Sequence, residues 1–134
     1  MQSETQPPST VLPPTRILVV DDNAAALKGC VRLLRQAGYE VAQAEDGRAA
    51  LALVRTFRPA LVLLDVVLPD ISGREVLRQI KADPQWAGIS VVLFSSIAIS
   101  PEAMSAGLKV GADGYIARPI PNHELLARVR AVLR

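Results

Sequence analysis

The sequence has 134 residues, half of them hydrophobic and 21% charged, a length suited to one domain and a composition that excludes wholesale disorder. Its uninterrupted apolar runs, such as 60–64 and 91–94, fall far short of the roughly 20 residues that span a bilayer. The N-terminus has no basic start followed by an apolar stretch, so no export signal is expected and the expected address is the cytoplasm. Fifteen basic against thirteen acidic residues leave a formal charge of +2, and the arginines are scattered, which argues against a nucleic-acid footprint.

Residues 1–15 carry four prolines and small polar residues and are expected to form a flexible leader to a domain over 16–134. The β-branched run Ile17–Val20 reads as a strand covered on both faces and stops at Asp21-Asp22. A helix follows, with Leu27, Cys30, Val31 and Leu34 on one face and Gly38 as its left-handed stop. Cys30, the single cysteine, has no partner for a disulfide and reads as a small buried filler. Tyr39–Ala44 is a second strand, and Asp46 is placed to cap a helix with Ala50, Leu53, Val54 and Phe57 inward. Pro59 bars that helix from continuing.

Leu61–Leu64 is the most apolar segment, a central strand ending at Asp65. Ser72 and Glu75 have capping-box spacing, which starts a third helix near Gly73 and ends it around Asp83-Pro84. Val91–Phe94 forms the fourth strand, ending in Ser95-Ser96. A fourth helix with a weak apolar stripe starts at Ser100-Pro101 and ends near Gly111. Tyr115–Ala117 is a short fifth strand, and Leu125, Leu126, Val129, Val132 and Leu133 line a fifth helix. Five strand-then-helix units with short connections predict a flavodoxin-like α/β fold: a three-layer sandwich around a parallel sheet of order 2-1-3-4-5.

In such a sheet the first and third strands are neighbours, and ligands bind beyond the carboxyl ends of strands where the winding reverses. Asp21, Asp22 and Asp65 fall there. Carboxylates gathered at one rim repel, by about 4 kcal/mol for each close pair at an effective dielectric near 20, so the cluster calls for protons or a cation. Hard oxygen ligands suit Mg2+, which completes its shell with water and phosphate oxygens. The plainer reading of Asp21 and Asp22 is that one caps the first helix and the other is solvated. Ser95 ends the neighbouring strand, and Arg118, before Pro119, brings a permanent cation to the same edge.

The segments ILVVDDN at 17–23, LVLLDVVLPDISG at 61–73, VVLFSS at 91–96 and GADGYIARPI at 111–120 resemble, in this order, the receiver domain of bacterial two-component response regulators. The resemblance runs from about residue 16 to the C-terminus. It implies that Asp65 accepts a phosphoryl group from a histidine kinase or a histidine phosphotransfer protein. It further implies that Asp21, Asp22, Asp65 and the backbone carbonyl of Val67 hold Mg2+, and that Ser95 and Tyr115 form the switch. Downstream proteins would then dock on the fourth helix, fifth strand and fifth helix. A homodimer is left open, and neither direct nucleic-acid contact nor membrane contact is expected. The chain would be a signalling phosphoprotein rather than a turnover enzyme, either alone or as a piece of a longer regulator.

Arg118 departs from the family pattern, which has Lys there. Arg is planar and forked, and it is expected to reach Asp65 or its phosphoryl oxygens, with both arms available, while coupling poorly to Ser95 and Tyr115. The alternative function is a phosphorylation-independent interaction module in which Arg118 permanently satisfies the acidic pocket. A Mg2+-dependent phosphohydrolase ranks lower, because Val67 stands where a second general acid would be needed. Val67 and Ile97 are apolar and unable to position an attacking water, so a phosphoryl group formed here is expected to hydrolyse slowly. His123, at the start of the last helix, is given no chemical role.

Overall fold

The computed structural model describes residues 13–95 and 100–134. Strand and helix alternate five times: β1 (Arg16–Val20), α1 (Ala24–Gln36), β2 (Glu40–Ala44), α2 (Gly47–Phe57), β3 (Leu61–Leu64), α3 (Gly73–Ala82), β4 (Ser90–Ser95), α4 (Pro101–Val110), β5 (Gly114–Ala117) and α5 (Asn122–Leu133). A 3-10 turn at Pro84–Trp86, absent from the sequence expectation, links α3 to β4. The strands are all parallel and ordered β2-β1-β3-β4-β5, the flavodoxin-like order expected of right-handed crossovers.

Alternation along each strand divides the core into two layers. Ile17, Val19, Leu61, Leu63, Val92 and Phe94 pack with Leu27 and Leu34 of α1 and Leu125 and Val129 of α5. Leu18, Val20, Val62, Leu64 and Leu93 pack with Ala50 and Val54 of α2 and Val76, Leu77 and Ile80 of α3. β1 beyond Arg16 and the whole of β3 are buried, which explains why they read as unbroken aliphatic runs. Cys30 is buried in the first layer, and burial pushes its thiol up to about 11. That keeps the thiol protonated and unreactive at neutral pH.

Local chemistry sets the helix ends. Asp46 accepts a hydrogen bond from Ala49 N at 2.7 Å and caps α2 as expected. Gly38 follows α1 at φ 101°, a conformation that side chains other than Gly rarely adopt. α2 ends at Arg58, left-handed at φ 54°, one residue ahead of the proline expected to stop it. One alternative reading falls and one expectation needs correction. The cap of α1 is Asn23, whose side chain accepts from Ala26 N at 3.0 Å, so neither Asp21 nor Asp22 serves there. At α3, Ser72 Oγ accepts from Glu75 N at 3.2 Å, but the Glu75 carboxylate turns to Arg78 and Gln79, leaving half a capping box.

Candidate functional site

Strand register builds the site. Val20 of β1 pairs with Leu64 of β3, so the next residues, Asp21 and Asp65, leave the sheet side by side. The backbone ladder carries on past the strand ends, with Asp21 N donating to Ala44 O at 3.1 Å and Asp65 N to Val20 O at 3.0 Å. Arg118 is held in the same way, its backbone N donating to Ser95 O at 2.8 Å. Three side chains distant in sequence thus meet at one rim because parallel strands end together.

Asp21 and Asp65 are buried, at 3% and 7% exposure, while Asp22 stands exposed. Ligand oxygens of all three lie within 4.8 Å of one another. They line a cavity of about 510 Å3 together with Asn23, Ala26, Val67, Arg118 and Pro119. Each inner carboxylate is tied to its own turn: Asp21 Oδ1 accepts from Asn23 N at 2.9 Å, and Asp65 Oδ1 from Val67 N at 3.1 Å. Burial, followed by the charge of Asp21, raises the Asp65 carboxyl above its ordinary 3.8, while the Val67 N–H and Arg118 pull the other way. The donor set, three carboxylates on hard oxygens, fits a Mg2+ ion.

Arg118 reaches Asp65, but its fork spans two carboxylates. Nη1 donates to Asp21 Oδ2, and Nη2 to Asp65 Oδ2 at 3.2 Å. Its Cζ stands 4.4 Å from the Phe94 ring centroid, an aromatic seat that sequence reasoning missed. The signal for it was weak: Phe94 reads as one more core residue of β4. The buried Nε makes no hydrogen bond among the described residues.

Ser95 is buried at the end of β4. Tyr115 packs against the layer that contains Leu93. Burial raises its phenol above the ordinary value, offset in part by the Ser95 hydroxyl nearby. Phe94, under the guanidinium, belongs to the opposite layer. Val67 is half exposed at the cavity mouth. Ile97 lies outside the described residues, and His123 is exposed on α5.

A second carboxylate bond network escaped the sequence reading. Asp70, in the turn after β3, accepts from Gly47 N at 2.8 Å and Arg48 N at 2.9 Å. These are the first amides of α2, so the turn that carries Val67 is fastened to a helix N-terminus.

The family model for the response regulator receiver domain matches residues 17–130. The chain belongs to the response regulator receiver family. This receiver is similar to the response regulator MprA of Mycolicibacterium vanbaalenii, 45% identical over 121 residues, which cover 90% of the chain and 51% of that protein. It is also similar to the DNA-binding response regulator MtrA of Mycobacterium tuberculosis, 43% identical over 119 residues, 89% of the chain and 50% of that protein. Among solved structures, chemotaxis protein CheY4 of Vibrio cholerae matches with a TM-score of 0.85 at 30% identity, over 90% of this chain and 99% of that one. A CheY-like receiver from Methanospirillum hungatei matches at 0.84 and 32%, over 90% and 94%. The receiver spans about half the length of the curated relatives it matches. Both curated relatives are named as response regulators. MtrA is named as DNA-binding, so the similarity lends no support to the expectation that nucleic acid plays no direct part. No helix among the described residues is long and apolar enough to cross a membrane.

Proposed function

We propose that the receiver is a phosphorylation-dependent switch in a cytoplasmic two-component pathway, with Asp65 as the phosphoryl acceptor. The observation that carries the reading is the Asp65 carboxylate, held at the rim of an open cavity beside two further acids and a guanidinium. An Asp65 oxygen attacks the phosphorus of a phosphohistidine, the P–O bond forms as the P–N bond breaks, and the imidazole keeps the electron pair and takes up a proton. The partner is therefore a histidine kinase or a histidine phosphotransfer protein. Asp21, Asp22, Asp65 and the Val67 carbonyl would hold Mg2+, which supplies positive charge against the repulsion between nucleophile and phosphoryl group. The similarity to response regulators favours this switch over an interaction module indifferent to phosphate.

The chain's own residues do the rest. The Val67 N–H, bonded to Oδ1, fixes the plane of the Asp65 carboxylate. Arg118 supplies a planar fork matched to phosphoryl oxygens. Ser95 and Tyr115 would report the change to α4, β5 and α5, the surface offered to downstream proteins, by shifting a two-state equilibrium. Val67, apolar at the cavity mouth, leaves an attacking water unoriented. Val67→Asn is therefore expected to shorten the phosphoryl half-life severalfold, measured by decay of label after donor removal; an unchanged half-life contradicts that role.

Incubation with a phosphohistidine-bearing phosphotransfer protein tests the reading. Label is expected to move to the wild-type chain and to none of the Asp65→Asn chain. Equal transfer to both would reject Asp65 as acceptor.

A further inference from the structure

All four oxygens of the two buried carboxylates are already engaged. Asp21 Oδ1 and Asp65 Oδ1 accept from the backbone of their own turns, and both Oδ2 atoms accept from the one guanidinium. Arg118 is itself largely buried, its side chain 14% exposed. It rests against the Phe94 ring, and its Nε is left without a partner among the described residues. This seat satisfies the acids more fully than it satisfies the arginine.

We infer that Arg118 is the resident counter-ion of the acidic cluster, and that Mg2+ binds by exchange, displacing the guanidinium from Asp21 and Asp65 instead of entering a vacant cluster. The inference rests on the reading of Asp21, Asp22 and Asp65 as metal ligands and adds the order of events. A dication brought against a seated guanidinium meets like charge, and it needs the same carboxylate oxygens. Binding therefore selects the conformers in which the fork has left. The apparent affinity is lowered by the fraction of molecules in that open state, so a seat filled more than nine-tenths of the time weakens binding by about tenfold or more. A guanidinium released from two carboxylates keeps its charge and its five donors beside the cavity, where phosphoryl oxygens would be its natural partners. Arg118 thus serves as a positioning residue that becomes available to the phosphoryl group once the cluster is neutralised.

Calorimetric titration with Mg2+ of wild type, Arg118→Lys and Arg118→Gln tests the exchange. A lysine head keeps the charge but has no fork to hold two carboxylates at once. Both variants are expected to bind Mg2+ about tenfold or more tightly than wild type. Equal affinities in all three would overturn the inference. So would a lysine variant that binds like wild type while only the glutamine variant gains, because charge alone would then explain the effect. Nitrogen-15 NMR of the wild type gives a readout independent of variant folding. The Arg118 Nε–H resonance is expected to shift as Mg2+ saturates, and a resonance that stays in place overturns the exchange. If the affinity order holds while Asp65 takes no label from any donor, the exchange stands and only the phosphoryl reading falls. If no protein of the three binds Mg2+, both fall.

Discussion

Asp65 holds its place through opposing forces that act on a single carboxylate. Burial and the neighbouring Asp21 favour its neutral form, while the Val67 N–H and Arg118 favour the charged one, and the first pair prevails. A carboxyl raised in the folded state holds a proton that the unfolded chain has already given up. Folding stability therefore falls as pH rises from the ordinary 3.8 through the raised value, and the loss persists at neutral pH. Asp65→Asn removes the titration while keeping the shape of the side chain. It is expected to melt higher than wild type at pH 7, with the difference fading below about pH 4. Thermal unfolding across pH checks this, and a variant less stable than wild type at pH 7 would contradict it. At this scale the acids were legible in the sequence, because each directly follows a buried aliphatic run that must end at the sheet's rim. The double reach of Arg118 was not. Register places its Cα at the rim, but which carboxylates the fork selects depends on the Phe94 seat, and strand pattern alone assigns Phe94 to the core.

Between β3 and α3 the chain folds an eight-residue segment back tightly enough that Gly73 N donates to Val66 O at 2.8 Å. A Cβ at Gly73 would stand 2.1 Å from the backbone oxygen of Asp65, a backbone contact that no rotamer change relieves. Gly73→Ala is expected to cost about 1–3 kcal/mol, the usual range for overpacking, and to slow labelling of Asp65 by moving the turn beneath it. Urea unfolding and the labelling rate measure the two effects; wild-type values for both would mean that the turn yields freely. The same turn is pinned from outside by Asp70 on the α2 amides. Asp70 is held down to about 2 with backbone N–H donors from Gly47 and Arg48 opposing its desolvation. Caps within an element, such as Asp46 and Ser72, were legible because their spacing to the helix is local. Asp70 lies 23 residues from the helix start it serves, and no local spacing announces such a partner. The choice of Asn23 over two adjacent acids as the α1 cap likewise depends on where register sends the aspartates.

Across the whole molecule, two side-chain layers on a parallel sheet leave one edge on which strand ends converge, and the chemistry gathers there. Topology was legible because the aliphatic runs are short, buried on both faces and separated by single amphipathic helices, a pattern with few alternative windings. The boundary at β5 and the 3-10 turn after α3 depend on tertiary fastening, as in Lys81 Nζ donating to Ile89 O at 2.7 Å and to Asp113 Oδ2 at 3.1 Å. Asp113 Oδ2 accepts in turn from Val91 N at 2.8 Å, which sets where β5 joins β4. The proposed role of Asp65 as phosphoryl acceptor depends on this convergence. Intact mass after incubation with acetyl phosphate and Mg2+ addresses it without any partner protein. Wild type is expected to gain one phosphoryl group, a gain that disappears in Asp65→Asn and when Mg2+ is chelated. A gain that survives in Asp65→Asn, or no gain in wild type under any Mg2+ concentration, would contradict it.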